Sequence, residues 1–314
     1  MGNREREGKT AHKSGKSMKG SRQNSGRTGN HKPANGTGNA KNTRNTRNGK
    51  KGRGKREGGR SVFSTVMMVI AAGIFLFSFF QIVMMVAPYY TGGKEYDKVK
   101  EMAVTEPGED QDDGGGGDAE EGDDGFRVDF NALLAENPDT VAWIRLEEPA
   151  VISYPVVKGQ DNEEYLTKTF SANDNKLGAI FLDVRNNPSF TDRNSFIYGH
   201  NLKVGGEMFS QLNAYADEAF CKQHPYFYIY TPDGAIKVYQ VFSAGVVNAA
   251  AENYNITYRT EEDFLNYLEL CRNSSNYQVE ADLNSGSRIV SLSTCTNVNE
   301  DERFLVQGVL VKER

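Results

Sequence analysis

The chain has 314 residues, 42 acidic against 37 basic, a net charge of −5, and three cysteines. That length admits two domains, but the composition shifts so sharply along the chain that only its C-terminal part reads as globular. Three cysteines form no even disulfide framework, and no paired-cysteine zinc spacing, phosphate-cradling glycine loop or internal repeat occurs, which excludes a disulfide scaffold, a zinc module and a P-loop nucleotide binder.

Residues 1–60 carry 18 Lys/Arg against three acids (Glu5, Glu7, Glu57) and almost no large apolar side chains. Such a segment cannot bury enough surface to offset chain entropy, so a disordered basic tail is expected. Ser61–Tyr90, "SVFSTVMMVIAAGIFLFSFFQIVMMVAPYY", follows with no charge between Val62 and Ala87. As a helix those 26 residues reach about 39 Å, enough to cross a bilayer with some tilt. The run exceeds a signal-peptide core and no small-x-small cleavage site follows it, so an uncleaved transmembrane anchor is expected. The basic tail then stays cytoplasmic, and everything after Tyr90 lies outside the cell. Topology is a sufficient role for that tail, and no nucleic-acid partner is expected. Thr91–Gly125 holds 13 acids against three lysines around "GGGG", which predicts an extended linker.

From Phe126 to Arg314 the composition is globular, leaving 189 residues for one extracytoplasmic domain. "DFNALLAENP" predicts an Asp129-capped helix to about Glu136, stopped by Asn137-Pro138. Short strands then dominate: "VAWIRL", "PAVISYPVVKG", "GAIFLDV", "NSFIYGH", "FYIYTPDGAIKVYQVFSAGVV", "RIVSLSTC" and "RFLVQGVLV". The turn at Thr231–Gly234 joins two of them as a hairpin. Longer helices are expected near Glu207–Lys222 and Thr260–Asn273. Many short strands with turn signals predict a closed or nearly closed antiparallel barrel decorated by helices. Cys271 shares a helical face with Phe264 and Leu268 and reads as core, Cys221 ends the other helix, and a Cys221–Cys271 bridge stays open.

That leaves Cys295 without a helical role. Ile289, Ser291, Ser293 and Cys295 share one strand face, which turns polar toward its end as a strand running from core to cleft would. Arg303 opens the next strand after the polar loop "TNVNEDE", so a hairpin puts both residues at one end of the sheet. The domain has two histidines. His224 reads as a surface loop residue, whereas His200 ends the strand "NSFIYGH" beside Gly199, placed to face a cleft. A thiol of reference pKa about 8.5 needs activation at neutral pH. A guanidinium stabilises thiolate or oxyanion but cannot supply a proton, which falls to the imidazole. Cysteine, histidine and arginine thus divide the nucleophile, acid/base and electrostatic duties, with the N–H after Cys295 as a further oxyanion donor.

The segments "YGHN" (Tyr198–Asn201) and "LSTC" (Leu292–Cys295), with Arg303 on the following strand, resemble the sortases, membrane-anchored cysteine transpeptidases of Gram-positive bacteria. The likeness covers nearly all of 126–314 and is closest to class B, in which "VAWIRL", "YPVVKGQDNEEYL", "GAIFLD" and "YGHNL" occur in this order. It implies a mainly β fold with helices: a sortase-type closed barrel of about eight strands, N-terminal helices, and a long helix between the sixth and seventh strands. It also implies that Cys295 attacks the Thr carbonyl of a C-terminal sorting signal. A peptidoglycan cross-bridge amine, free or on lipid II, then resolves the thioester and leaves a surface protein on the wall. His200 would move the protons and Arg303 hold the oxyanion. Class B signals often resemble Asn-Pro-x-Thr, and many serve haem-uptake proteins. By position Asn162, Leu166 and Ser293 match groove residues, and Tyr254 and Ile256 fall in a loop closing over the signal. No cofactor or metal is expected, and the calcium dependence of some class A enzymes is not carried over.

Three rivals are weaker. A papain-like peptidase places its Cys before its His, the reverse of the order here, and leaves Arg303 idle. A pilin-polymerising sortase would carry an Asp-Pro-aromatic lid and a second C-terminal membrane segment. A non-catalytic wall-facing binding module on the same barrel would have no need of a complete triad.

Overall fold

The computed structural model describes residues 58–106, 125–202 and 205–314. The expected basic tail, apart from its last three residues, and the glycine-rich part of the expected linker lie outside the described residues.

The apolar run forms helix α1 (Gly58–Ala103), whose side chains from Val62 to Ala87 are all exposed. By length and composition it can cross a membrane, compatible with a single-pass anchor. The helix does not stop at Tyr90. Its last turns, where an unpacked linker was expected, bury Tyr96, Val99 and Ala103 in the main core. Spaced three and four apart, these share one helical face, a pattern hidden beneath the high charge of the segment. A two-residue ribbon, Val104–Thr105 with Arg127–Val128, then pins the chain where it returns. Asp129 caps α2 (Phe130–Glu136) as expected, accepting from the N–H groups of Asn131 and Ala132.

Eight strands follow: β1 (Thr140–Leu146), β2 (Ile152–Val157), β3 (Ile180–Leu182), β4 (Asn194–Tyr198), β5 (Tyr226–Tyr230), β6 (Ile236–Asn248), β7 (Ile289–Cys295) and β8 (Glu302–Glu313). They close into a barrel in the order β8-β6-β5-β1-β2-β3-β4-β7. The barrel is not wholly antiparallel, because β2 runs parallel to β3 and β4 parallel to β7. A parallel pair needs a long crossover, and between β4 and β7 the chain supplies β5, β6 and their helices. This pairing decides the site. Two strands far apart in sequence end side by side.

The helix expected over Glu207–Lys222 divides into a 3₁₀ segment, Phe209–Ala216, and α3 (Glu218–Gln223). Asp217 between them is extended and accepts from the Ala219 N–H, starting a new helix rather than continuing the old one. α4 (Glu261–Asn273) lies between the sixth and seventh barrel strands, opened by a Thr260/Asp263 capping box. Phe264, Tyr267, Leu268 and Cys271 bury its inner face against Phe242, Ile289 and Val309. Beneath it Asn194 Nδ2 donates to the Tyr267 hydroxyl (2.8 Å), Ser291 Oγ to Asn194 Oδ1 (2.9 Å) and Gln307 Nε2 to Ser291 Oγ (2.9 Å). This seam locks β4, β7 and β8 together under α4. All three cysteines are free thiols, so the Cys221–Cys271 bridge is absent. Both of those thiols are fully buried, and burial pushes Cys271 up to about 11, leaving it an inert hydrophobe.

Candidate active site

Strand alternation assembles the site. Val290 and Leu292 of β7 point into the main core, whereas Ser291, Ser293 and Cys295 lie on the opposite face. That face is the outside of the barrel, covered by α4 at one end and open at the other. The polar drift toward Cys295 marks where the cover ends. On one side β8 pairs Arg303 with Cys295 and Leu305 with Ser293. On the other, parallel β4 pairs Phe196 with Ser291 and Tyr198 with Ser293. Continuing that register by two residues sets His200 beside Cys295. The imidazole and the thiol therefore reach one cleft because their strands run the same way, and the guanidinium because its strand runs the opposite way.

All three side chains are half-buried and line one cleft of about 420 Å³. His200 Nε2 donates to the Leu166 carbonyl at 2.7 Å. A carbonyl only accepts, so Nε2 carries a proton and Nδ1 is the nitrogen left to exchange one. The ring edge rests on Gly178, whose φ is +65°; a Cβ there would stand 2.8 Å from His200 Cδ2. Only glycine suits this point, for the backbone and for the close approach alike. Arg303 Nη1 donates to the carbonyls of Glu300 (2.6 Å) and Glu302 (2.9 Å), which fixes the guanidinium at the mouth of its loop. Asn201 Nδ2 donates to the Cys295 carbonyl at 2.8 Å, and Asn297 Nδ2 to the Asn201 carbonyl at 2.7 Å. The peptide after Cys295 is thus held from both sides. Its N–H, expected as a spare oxyanion donor, is already directed at the Glu302 carbonyl at 3.4 Å.

Asn162, Leu166, Tyr254 and Ser293 also line the cleft. Tyr254 shares a 2.8 Å hydrogen bond with Ser293 Oγ and stacks on Phe196 at 5.1 Å. Burial pushes its phenol up to about 12, so it stays a neutral hydroxyl. Ile256 is not among the lining residues; it packs with Tyr198 and Tyr254 against Phe196, Val247 and Leu305. His224 closes α3, its ring 4.8 Å from Phe220, and takes no part in the cleft.

Sequence reasoning passed over Asp183, the acid that ends the apolar strand "GAIFLDV". Its carboxylate, with no side-chain exposure, accepts from Asn162 Nδ2 (3.1 Å), Tyr198 OH (2.9 Å), and Arg185 Nε (2.8 Å) and Nη2 (2.7 Å). Burial alone would raise its pKa, but the bonds from Arg185 and Tyr198 outweigh it and hold the carboxyl below its ordinary range. Asn162, Tyr198 and Arg185 all face the cleft, so one buried acid orients a whole wall. A lone charge closing an apolar strand was the available signal.

Fold and cleft together define a mixed β-barrel that gathers a thiol, an imidazole and a guanidinium at one end of three adjacent strands. The sortase-domain model matches residues 146–311. Sortase B of Listeria monocytogenes is 33% identical over 189 residues, 59% of this chain and 75% of that protein. The X-ray structure of Clostridium perfringens sortase B is 30% identical and superposes with a TM-score of 0.55, covering 59% of this chain and all of that one. A Staphylococcus aureus sortase B–substrate complex is 28% identical with a TM-score of 0.54, covering 58% and 84%. The chain belongs to the sortase family, in class B, a family of transpeptidases.

Proposed function

We propose that the chain cleaves a C-terminal sorting signal after Thr and joins the freed carbonyl to a peptidoglycan cross-bridge amine. The observation that carries this is the register that places Arg303 opposite Cys295, with His200 at the end of the parallel neighbour, all lining one cleft. Cys295 passes its thiol proton to His200 Nδ1 and Sγ attacks the Thr carbonyl, forming a C–S bond, while Arg303 opposes the charge that develops on oxygen. His200 gives a proton to the leaving amine as the C–N bond breaks, then takes one from the incoming amine as the thioester is replaced by an amide. The Asp183-held wall, with Leu166, Tyr254 and Ser293, binds the signal.

Residues 61–90 act as a single-pass anchor, with the tail of residues 1–60 on the cytoplasmic side and the barrel outside. The catalytic unit begins earlier than Phe126, because Tyr96, Val99 and Ala103 belong to its core.

The test mixes the protein with Asn-Pro-x-Thr-type peptides and glycine- or diaminopimelate-type amines, and reads products by mass spectrometry. The expected product carries the amine joined to the Thr carbonyl. Failure to cleave any such peptide, with Cys295 unreactive to thiol reagents, would overturn the reading. Asp183→Asn, close in volume but unable to balance Arg185, is expected to raise KM for the peptide about tenfold with kcat little changed. An unchanged KM would show that Asp183 serves folding alone.

A further inference from the structure

The His200 imidazole is held by a carbonyl and a glycine that both belong to one loop. That loop leaves the 3₁₀ turn Glu164–Leu166 and returns to β3 through Gly178, with Leu166 O on one side of the imidazole edge and Gly178 beneath it. The 2.7 Å bond from Nε2 depends on where this loop stands. The barrel ladder holds only its return: β3 has three residues and pairs with β2 and with β4 at two positions each.

Asn137 Nδ2 donates to the Phe170 carbonyl at 2.6 Å, and the last turns of α1 supply the other outside hold. The Tyr96 hydroxyl donates to the Gly178 carbonyl at 2.8 Å and accepts from the Phe170 N–H at 3.1 Å. Tyr96 is 6% exposed and its ring meets Tyr154 edge-on at 5.3 Å, so the hydroxyl is aimed rather than free to search. Two further contacts come from the same helix. Glu95 accepts from the Ser171 N–H at 3.0 Å, and Asn175 Nδ2 donates to the Pro88 carbonyl at 2.9 Å. The loop is thus clasped from Phe170 to Gly178 by the helix that emerges from the apolar run.

We propose that Tyr96 is a positioning residue for His200: by fixing the Gly178 peptide, the membrane-proximal end of α1 sets where the imidazole stands relative to Cys295. Tyr96 touches neither thiol nor cleft, and acts through the Gly178 peptide on which the imidazole rests. A proton transfer is sensitive to small displacements of the donor, whereas Asn162, Arg185 and Tyr198 of the peptide-binding wall are anchored separately by Asp183. Disturbing Tyr96 therefore lowers turnover and leaves peptide binding in place.

The experiment uses the full chain in detergent micelles and the peptide-to-amine assay. Tyr96→Phe keeps the ring packing and removes the hydroxyl; kcat is expected to fall about tenfold or more with KM within about twofold of wild type. Gly178→Ala, which pushes a methyl at the ring itself, is expected to give the same split. The inference is overturned if Tyr96→Phe turns over at the wild-type rate, or if kcat and KM worsen together in step with a lower Tm. It rests on His200 as the acid/base, and His200→Ala separates the two. An active His200→Ala removes that reading; an inactive one beside an unaffected Tyr96→Phe removes only the role of Tyr96.

Discussion

Cys295→Ala is expected to abolish both cleavage and joining of sorting-signal peptides, a loss on the order of 10⁴-fold or more, with the fold intact. The thiol is the atom to which the acyl group would be bonded, so no neighbour can substitute for it. Cys221 and Cys271 are fully buried. The folding cost should be small, since Cys295 is half-buried at a strand end and its backbone carbonyl, not its thiol, takes the Asn201 bond. Peptide binding should survive, because the groove wall is built by other residues. Circular dichroism and peptide affinity, measured beside turnover, would show this pattern. Retained joining by Cys295→Ala would contradict it and place the nucleophile elsewhere.

Arg303→Lys is expected to cost 10²–10³-fold in kcat, although the charge is retained. The guanidinium uses one terminal nitrogen to grip the carbonyls of Glu300 and Glu302. Its planar fork can hold those carbonyls and still present other N–H groups to a developing oxyanion. A lysine ammonium is a single point that cannot do both at fixed distance. The strand pairing to Cys295 is a backbone matter and should be unaffected. Single-turnover kinetics would locate the loss in formation of the acyl-enzyme. A lysine variant within a few-fold of wild type would mean that net charge alone matters at this position.

Much of the site was legible because β-strands carry their geometry in alternation. The face of β7, the position of Arg303 at the start of β8 and the exposed end at His200 follow from period-two patterning, as does the capped helix α4 from its own period. The parallel partnership of β4 and β7 does not. Pairing between strands some ninety residues apart is a tertiary fact, and without it His200 and Cys295 were joined by the family resemblance rather than by geometry. The same limit explains Asp183, whose three partners, Asn162, Arg185 and Tyr198, come from scattered positions. The last turns of α1 were hidden for a different reason. Charge and glycine dominate the composition of 91–125, and three buried side chains are too few to move an average, though their spacing was readable. The consequence is practical: a soluble fragment cut at Phe126 would lack Tyr96, Val99 and Ala103, and with them the α1 hold on the loop beneath His200.

The most direct measurement of the central claim is the intact mass of the protein after brief mixing with a sorting-signal peptide and no amine. The account predicts a mass gain equal to the peptide through its Thr, mapped to the Cys295 peptide and released by hydroxylamine as a thioester would be. An adduct on another residue, or cleavage by a Cys295→Ala protein with no adduct at all, would contradict it.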